Sequence, residues 1–345
     1  MTSPIISIQG LGRLDDLPRA RLFSGTPPVE AMPNLEKTLD TSGNLFIKRD
    51  DCTELAFGGN KVRQLEFYLG EAVAQHADTI LITGAVQSNF VRLAAAGARK
   101  LGMECHIQLE ERVKKNNPDY HKSGNVFLDH LLGATMHSYP VGEDEYGADQ
   151  QLQDIAKELS ADGKVPYIIP LSPGHPPLGA LGYVIAAREI LEQLNEQKLD
   201  IDEIIVASGS GATHSGLLFG LRALGSNIKV TGICVRRAVL DQMPRITDRC
   251  QEISAMLDVE NPVVNSDIIL TDAFLAPGYG QAGKDCVDAI KLCARTEAII
   301  LDPTYTGKSM AGFINRAQSL NTDQSILFIH TGGSPAIFAY MDDLA

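Results

Sequence analysis

The chain has 345 residues, 44% hydrophobic and 21% charged, with a net charge of −13. That balance gives a packed globular core in one large or two ordinary domains, and it argues against nucleic acid as the main partner. No apolar run reaches membrane-spanning length, so no membrane partner is expected. Six scattered cysteines form no CxxC pair, and eight histidines show no HExxH spacing. The expectation is a cytoplasmic protein with reduced cysteines and no metal site. Met1-Thr2-Ser3-Pro4-Ile5-Ile6 lacks a basic start followed by a long apolar stretch, so no signal peptide is expected.

Residues 1–44, with prolines at 4, 18, 27, 28 and 33, read as irregular. A strand is predicted over Leu45–Arg49. Asp50-Asp51-Cys52 then leads into the glycine turn of Phe57-Gly58-Gly59-Asn60-Lys61-Val62-Arg63-Gln64-Leu65-Glu66-Phe67. Asn60 suits the N-cap of the helix that follows, because its side-chain oxygen can accept from the free N–H groups of the first turn. Lys61 then falls in that turn, where the partial positive charge disfavours an ammonium. A lysine so placed is biased toward the neutral amine, the form that attacks a carbonyl. A solvated surface lysine is the plainer alternative.

Strands and helices then alternate. Strands are predicted at Thr79–Thr83, Glu104–Leu109, Thr135–Tyr139 and Val165–Ile169, and helices at Val91–Leu101, Asn125–Leu132 and Gln150–Leu159. Pro170–Gly182 is rich in proline and glycine and reads as a crossing between domains. The alternation restarts with helix Val184–Glu196, strand Glu203–Ala207, helix Leu217–Leu224, strand Lys229–Val235 and a long helix Val239–Leu257. A loop and strand over Asn261–Leu270, helix Ala282–Glu297, an apolar strand Ile299–Leu301 and strand Ser325–His330 complete the chain. The predicted class is α/β, with two open, mostly parallel sheets flanked by helices. Residues 57–170 form the smaller domain, and residues 1–56 with 171–345 the larger.

Ligands of open α/β sheets sit beyond the C-terminal ends of strands, and several loops there carry chemistry. Ser208–Gly216 is a glycine loop between strand and helix, whose N–H groups and helix dipole suit an anion; a tight turn is the alternative. Gly84–Asn89 places Ser88 and Asn89 either as helix caps or as donors to a carboxylate. Pro277-Gly278-Tyr279-Gly280 sets a tyrosine between glycines. Leu301–Ser309 carries Tyr305 and Thr306, and His330–Pro335 holds a diglycine. A lysine nucleophile, an anion loop, a carboxylate loop and tyrosines fit one cofactor, pyridoxal phosphate.

The motifs GGNKVRQLEF, GAVQSNFVR, ASGSGATHSG, PGYG, DPTYTGKSM and HTGG, in that order, resemble the fold type II pyridoxal-phosphate enzymes. Within that group they resemble the D-cysteine desulfhydrase and aminocyclopropane-carboxylate deaminase family. The resemblance implies a tryptophan synthase β-like fold with the cofactor in a cleft between the domains, and a homodimer. It gives Lys61 as the Schiff-base lysine, with Asn60 beside it. Asn89 falls near the pyridine hydroxyl, and Ser88 with Gln87 at the substrate carboxylate. Gly209, Gly211, Ala212 and Thr213 match the phosphate cup, and Tyr279 and Tyr305 the active-site tyrosines. Thr306 falls at the ring nitrogen, and Thr331 beside the cofactor.

The deaminase branch carries Glu after the tyrosine of the DPxY loop and Leu before the final diglycine. Here Thr306 and Thr331 stand there, as in the desulfhydrase branch. A neutral threonine makes the ring a weaker electron sink than a glutamate would, sufficient for β-elimination. The resemblance therefore implies a carbon–sulfur lyase giving pyruvate, ammonia and sulfide. Glu110–Asp129, with NPDYHKSGNVFLD, is also similar to L-cysteate sulfo-lyases, which release sulfite. Aminocyclopropane-carboxylate deamination and amino-acid racemisation by the same lysine rank lower. Phe90 and Gln64 depart from the pattern, where histidine and lysine are frequent.

Overall fold

The computed structural model describes residues 11–115, 117–171 and 174–345. The predicted irregular start over residues 1–10, residue 116 of the sulfo-lyase-like segment and residues 172–173 of the predicted crossing lie outside the described residues.

In chain order the N-terminal part contains β1 (Val29–Ala31), α1 (Pro33–Leu39) and β2 (Asn44–Lys48). Next come α2 (Asn60–Ala74), β3 (Thr79–Ala85), α3 (Asn89–Lys100), β4 (Glu104–Glu110), α4 (Gly124–Leu131), β5 (Thr135–Tyr139), α5 (Glu145–Ala161) and β6 (Pro166–Ile169). The remainder holds α6 (Leu181–Gln197), β7 (Glu203–Ser208), α7 (Ala212–Ala223), β8 (Lys229–Cys234), α8 (Val239–Leu257), β9 (Ile269–Thr271) and α9 (Lys284–Glu297). It ends with α10 (Thr306–Ala317), β10 (Ser325–Ile329) and α11 (Met341–Leu344).

The strands form two sheets. Six assemble in the order β1-β2-β10-β7-β8-β9, and four in the order β5-β4-β3-β6. Every pairing is parallel except β1 with β2. Central strands β3, β7 and β10 are buried at every residue, which explains their unbroken apolar runs. Helices α6, α7 and α8 cover one face of the larger sheet, where Leu181, Leu217, Phe219, Ile246 and Ile253 meet Ile204 and Leu327. Helices α9 and α10 cover the other, where Cys293, Met310 and Phe313 meet Ile205 and Phe328. Helices α2 and α3 pack on the smaller sheet through Val62, Leu65, Val91 and Leu93.

Three expectations are corrected. Residues 1–44 are not irregular throughout, since β1 and α1 lie there. Pro33 opens α1 at a position where its missing N–H costs nothing, so a proline taken as a breaker is a starter. Ile299–Leu301 is not a strand. Ile300 is exposed, and its carbonyl accepts from the side chains of His330 and Ser334 instead of a neighbouring strand. Helix α7 begins at Ala212, five residues before Leu217, so Thr213 stands in its first turn.

Candidate active site

The parallel register places β2 beside β10, with Lys48 opposite Ile329. The turn that follows β2 therefore meets the loop that follows β10. Gly59 (φ +125°) and Gly332 (φ +88°) pack backbone to backbone: a Cβ on Gly332 would lie 2.6 Å from Gly59 Cα. No side chain fits between them. Asn60 N–H donates to Thr331 O at 3.0 Å, and Gly59 N–H donates to Thr53 Oγ1 at 2.7 Å. These bonds fix the entry of α2.

Asn60 is the first residue of α2 and not its N-cap; Gly59 occupies that position. The Asn60 amide instead donates to Thr213 Oγ1 at 2.8 Å, and the Gln64 amide donates to the same oxygen at 2.9 Å. With two donors on its oxygen, the Thr213 hydroxyl must direct its own hydrogen elsewhere. Lys61 is half-buried. Its Nζ donates to Gln64 Oε1 at 3.2 Å and lies 5.0 Å from the centre of the Phe90 ring. Burial, helped by the positive charge of Arg249, lowers the Lys61 ammonium to about 8. The neutral amine expected from the helix terminus is thus favoured chiefly by loss of solvent.

Beyond β3, Ser88 caps α3 by accepting from Val91 N at 3.3 Å. Its hydroxyl hydrogen is left over for another acceptor. Asn89 Oδ1 accepts from Asn125 at 3.0 Å, leaving the amide nitrogen as its donor. Gln87, expected at the substrate carboxylate, has both its amide nitrogen and its oxygen bonded within the protein. Its amide nitrogen donates to Tyr120 O at 2.6 Å and Ser123 O at 3.0 Å, and its oxygen accepts from Asn125 N at 2.9 Å. It ties the loop to α4.

The hydroxyls of Tyr279 and Tyr305 are 2.6 Å apart, with the rings edge to face. Burial and the neighbouring Tyr279 raise Tyr305 well above the ordinary phenol value, so it stays protonated. Lys308 places the Tyr279 loop by donating to Leu275 O at 2.6 Å and Gly278 O at 2.5 Å. Thr306, expected at the ring nitrogen, is fully buried and bonded within its own turn. Its hydroxyl is 2.7 Å from both Asp302 N and Asp302 Oδ1. Asp302, which the motif reading passed over, also accepts from Thr304 N and Tyr305 N at 2.9 and 3.0 Å. It shapes the whole turn before α10.

One cavity with about 510 Å³ of atom-free space draws these elements together. Asn60, Lys61, Ser88, Asn89, Gly209, Gly211, Thr213, Tyr305 and Thr331 line it. Of the other residues expected at the site, Ala212 follows Gly211 at the first turn of α7, Tyr279 touches the wall through Tyr305, and Gln87 and Thr306 stand behind it. Phe90, Ser210, Ala207 and Gly332 line it as well. Phe90 is adjacent to Asn89 in sequence and had only its departure from the pattern to mark it.

The donor set fits pyridoxal phosphate. A half-buried lysine biased to its neutral form faces the same cavity as the glycine loop that opens α7. The first N–H groups of that helix have no partner within it. Among the described residues no cluster of His, Cys, Asp or Glu could hold a metal ion, and no helix is long and apolar enough to cross a membrane.

Comparison with known proteins agrees with this geometry. The family described as "Pyridoxal-phosphate dependent enzyme" matches residues 21–332. A D-cysteine desulfhydrase of Klebsiella pneumoniae is 41% identical over 337 residues, covering 97% of this chain and 99% of that enzyme. A D-cysteine desulfhydrase of Salmonella typhi is 41% identical over 332 residues, covering 96% and 98%. Among solved structures, an ACC deaminase homologue superposes with a TM-score of 0.86 at 34% identity, covering 99% of both chains. An O-ureido-L-serine synthase shares the fold at a TM-score of 0.67 and 15% identity, covering 96% and 95%.

Proposed function

The chain belongs to the pyridoxal-phosphate dependent enzyme family, and from that premise we propose that it is a D-cysteine desulfhydrase, converting D-cysteine and water to pyruvate, ammonia and sulfide. The observation that carries the reaction type is a half-buried lysine, biased to its neutral form, in one cavity with a protonated tyrosine. The D-cysteine desulfhydrases that share 41% of its sequence over nearly full length support the substrate.

When bound, pyridoxal phosphate supplies an aldehyde for amines and a ring that takes up electrons from the α-carbon. The chain's residues do the rest. Lys61 Nζ holds the cofactor and accepts the α-proton. The N–H groups of Gly209, Gly211, Ala212 and Thr213, with the Thr213 hydroxyl, bind the phosphate. Ser88, Asn89 and Thr331 offer neutral donors to the substrate carboxylate and the ring hydroxyl. Tyr305, protonated and bonded to Tyr279, offers its hydroxyl as a hydrogen-bond donor to the departing sulfur.

Lys61 is the one cation in the cavity wall among the described residues. A sulfonate leaving group would call for another, so release of sulfite from L-cysteate ranks second. Ring opening of aminocyclopropane-carboxylate and racemisation rank below it. Purified protein supplied with D-cysteine, L-cysteine or L-cysteate should release pyruvate and sulfide from D-cysteine. Sulfite from L-cysteate, with D-cysteine untouched, would overturn the substrate while keeping the cofactor chemistry.

We also propose a cytoplasmic homodimer. Free cysteines, five of them buried, support the compartment. Exposed Phe57, Phe127, Ile300 and Phe338 around one apolar groove support a covered face. The assayed preparation should sediment at twice the 37.2 kDa of one chain; a single-chain mass contradicts the pairing.

A further inference from the structure

Two arginines bond to the loop after β7, and neither lines the cavity. Arg237 Nη1 donates to Gly209 O at 3.1 Å, and Arg249 Nε donates to Ser210 O at 2.9 Å. In a trans peptide the carbonyl and the next N–H point in opposite directions. Holding the Gly209 carbonyl therefore sets the Ser210 N–H, and holding the Ser210 carbonyl sets the Gly211 N–H. Both residues with these N–H groups line the cavity. Arg249 lies close along the loop: a Cβ on Gly211 (φ +94°) would sit 3.1 Å from its Cδ.

Charge points the same way. A phosphate monoester carries roughly two negative charges near neutrality. Among the described residues the wall of the cavity offers one cation, Lys61, which the proposed function commits to the cofactor's aldehyde. Gln64, one turn further along α2, is a neutral amide bonded to Thr213. The charge of Arg249 is felt at Lys61, so its field reaches the cavity from behind the loop. Arg237 is steadied in turn by Glu145, at the start of α5, with Nη2 3.0 Å from Oε1. Arg236 and Arg245 reach the same carboxylate. The backing of the loop thus clasps an element on the smaller sheet.

We propose that Arg237 and Arg249 are positioning residues for the cofactor phosphate: they draw two carbonyls back, aim two N–H groups forward, and supply positive charge that the cavity wall lacks. The inference rests on placing the phosphate at this loop. Its test uses apo-protein titrated in parallel with pyridoxal phosphate and with phosphate-free pyridoxal, each followed by the absorbance of the lysine-bound chromophore, alongside apo-protein thermal unfolding.

R249Q and R237Q should each weaken pyridoxal phosphate by about tenfold. Each should leave pyridoxal within about twofold and the unfolding midpoint in place. An equal loss of both ligands, or no loss of either, would overturn the proposal. If R237Q fails to fold because Glu145 loses one of its three arginines, R249Q decides alone. Wild-type protein that binds neither ligand would overturn the placement of the cofactor itself, and the inference with it.

Discussion

Lys61 shows how a residue's chemistry is set by more than its place in a helix. Its position in the first turn pointed to a neutral amine, and the buried setting with Arg249 nearby gives that result for a stronger reason. Below about pH 8 the amine is protonated and cannot attack an aldehyde; above it the neutral form dominates. The rate of cofactor attachment to apo-protein should therefore rise with pH and level off above about 8. A stopped-flow pH series checks this. A midpoint near 10.4, the value of a free lysine, would contradict the buried setting. R249Q should move the midpoint upward, because it removes the nearby positive charge. Residue types at loop ends were legible in the sequence. Which atoms were already engaged was not: Gln87 and Thr306 looked free as letters and are committed in space. Arg237 and Arg249 act through backbone groups of a distant loop, and no local pattern marks such a role.

Among the elements, α2 bears the heaviest demand, because it carries the nucleophile. Two residues after Lys61, the buried Arg63 fork grips Asp50 at 2.9 and 3.1 Å and Glu189 at 2.7 and 2.9 Å. Tyr183 donates to Asp50 at 2.5 Å, and Lys48 reaches Glu189 and Gln193. Helix α2 is thereby bound to the end of β2 and to α6. Removing one member of a buried ion cluster leaves the others uncompensated, at a cost of about 3–5 kcal/mol. Arg63→Ala should lose stability of that order in urea unfolding, with less cofactor retained. A change under about 1 kcal/mol would show that the cluster is dispensable. The long periodic elements were readable, and Thr135–Tyr139 and Val239–Leu257 have the bounds their pattern predicts. Short elements between prolines were not, since Pro33 reads alike as a breaker and as a first helical residue.

At the scale of the whole molecule, two parallel sheets bring strand ends from distant segments to one cavity. Alternation of strands and helices made that class legible, and Ile299–Leu301 marks its limit. An apolar run becomes a strand only where a neighbour offers its backbone, and pairing is a tertiary fact. The claim on which the chemistry turns is that Lys61 carries the cofactor. The direct measurement is borohydride reduction of the holoprotein followed by peptide mapping, with K61A in parallel. A single pyridoxyl-phosphate adduct on Lys61, absent from K61A together with the chromophore and pyruvate release, is the expected result. An adduct on another lysine, or full turnover by K61A without added amine, would contradict it.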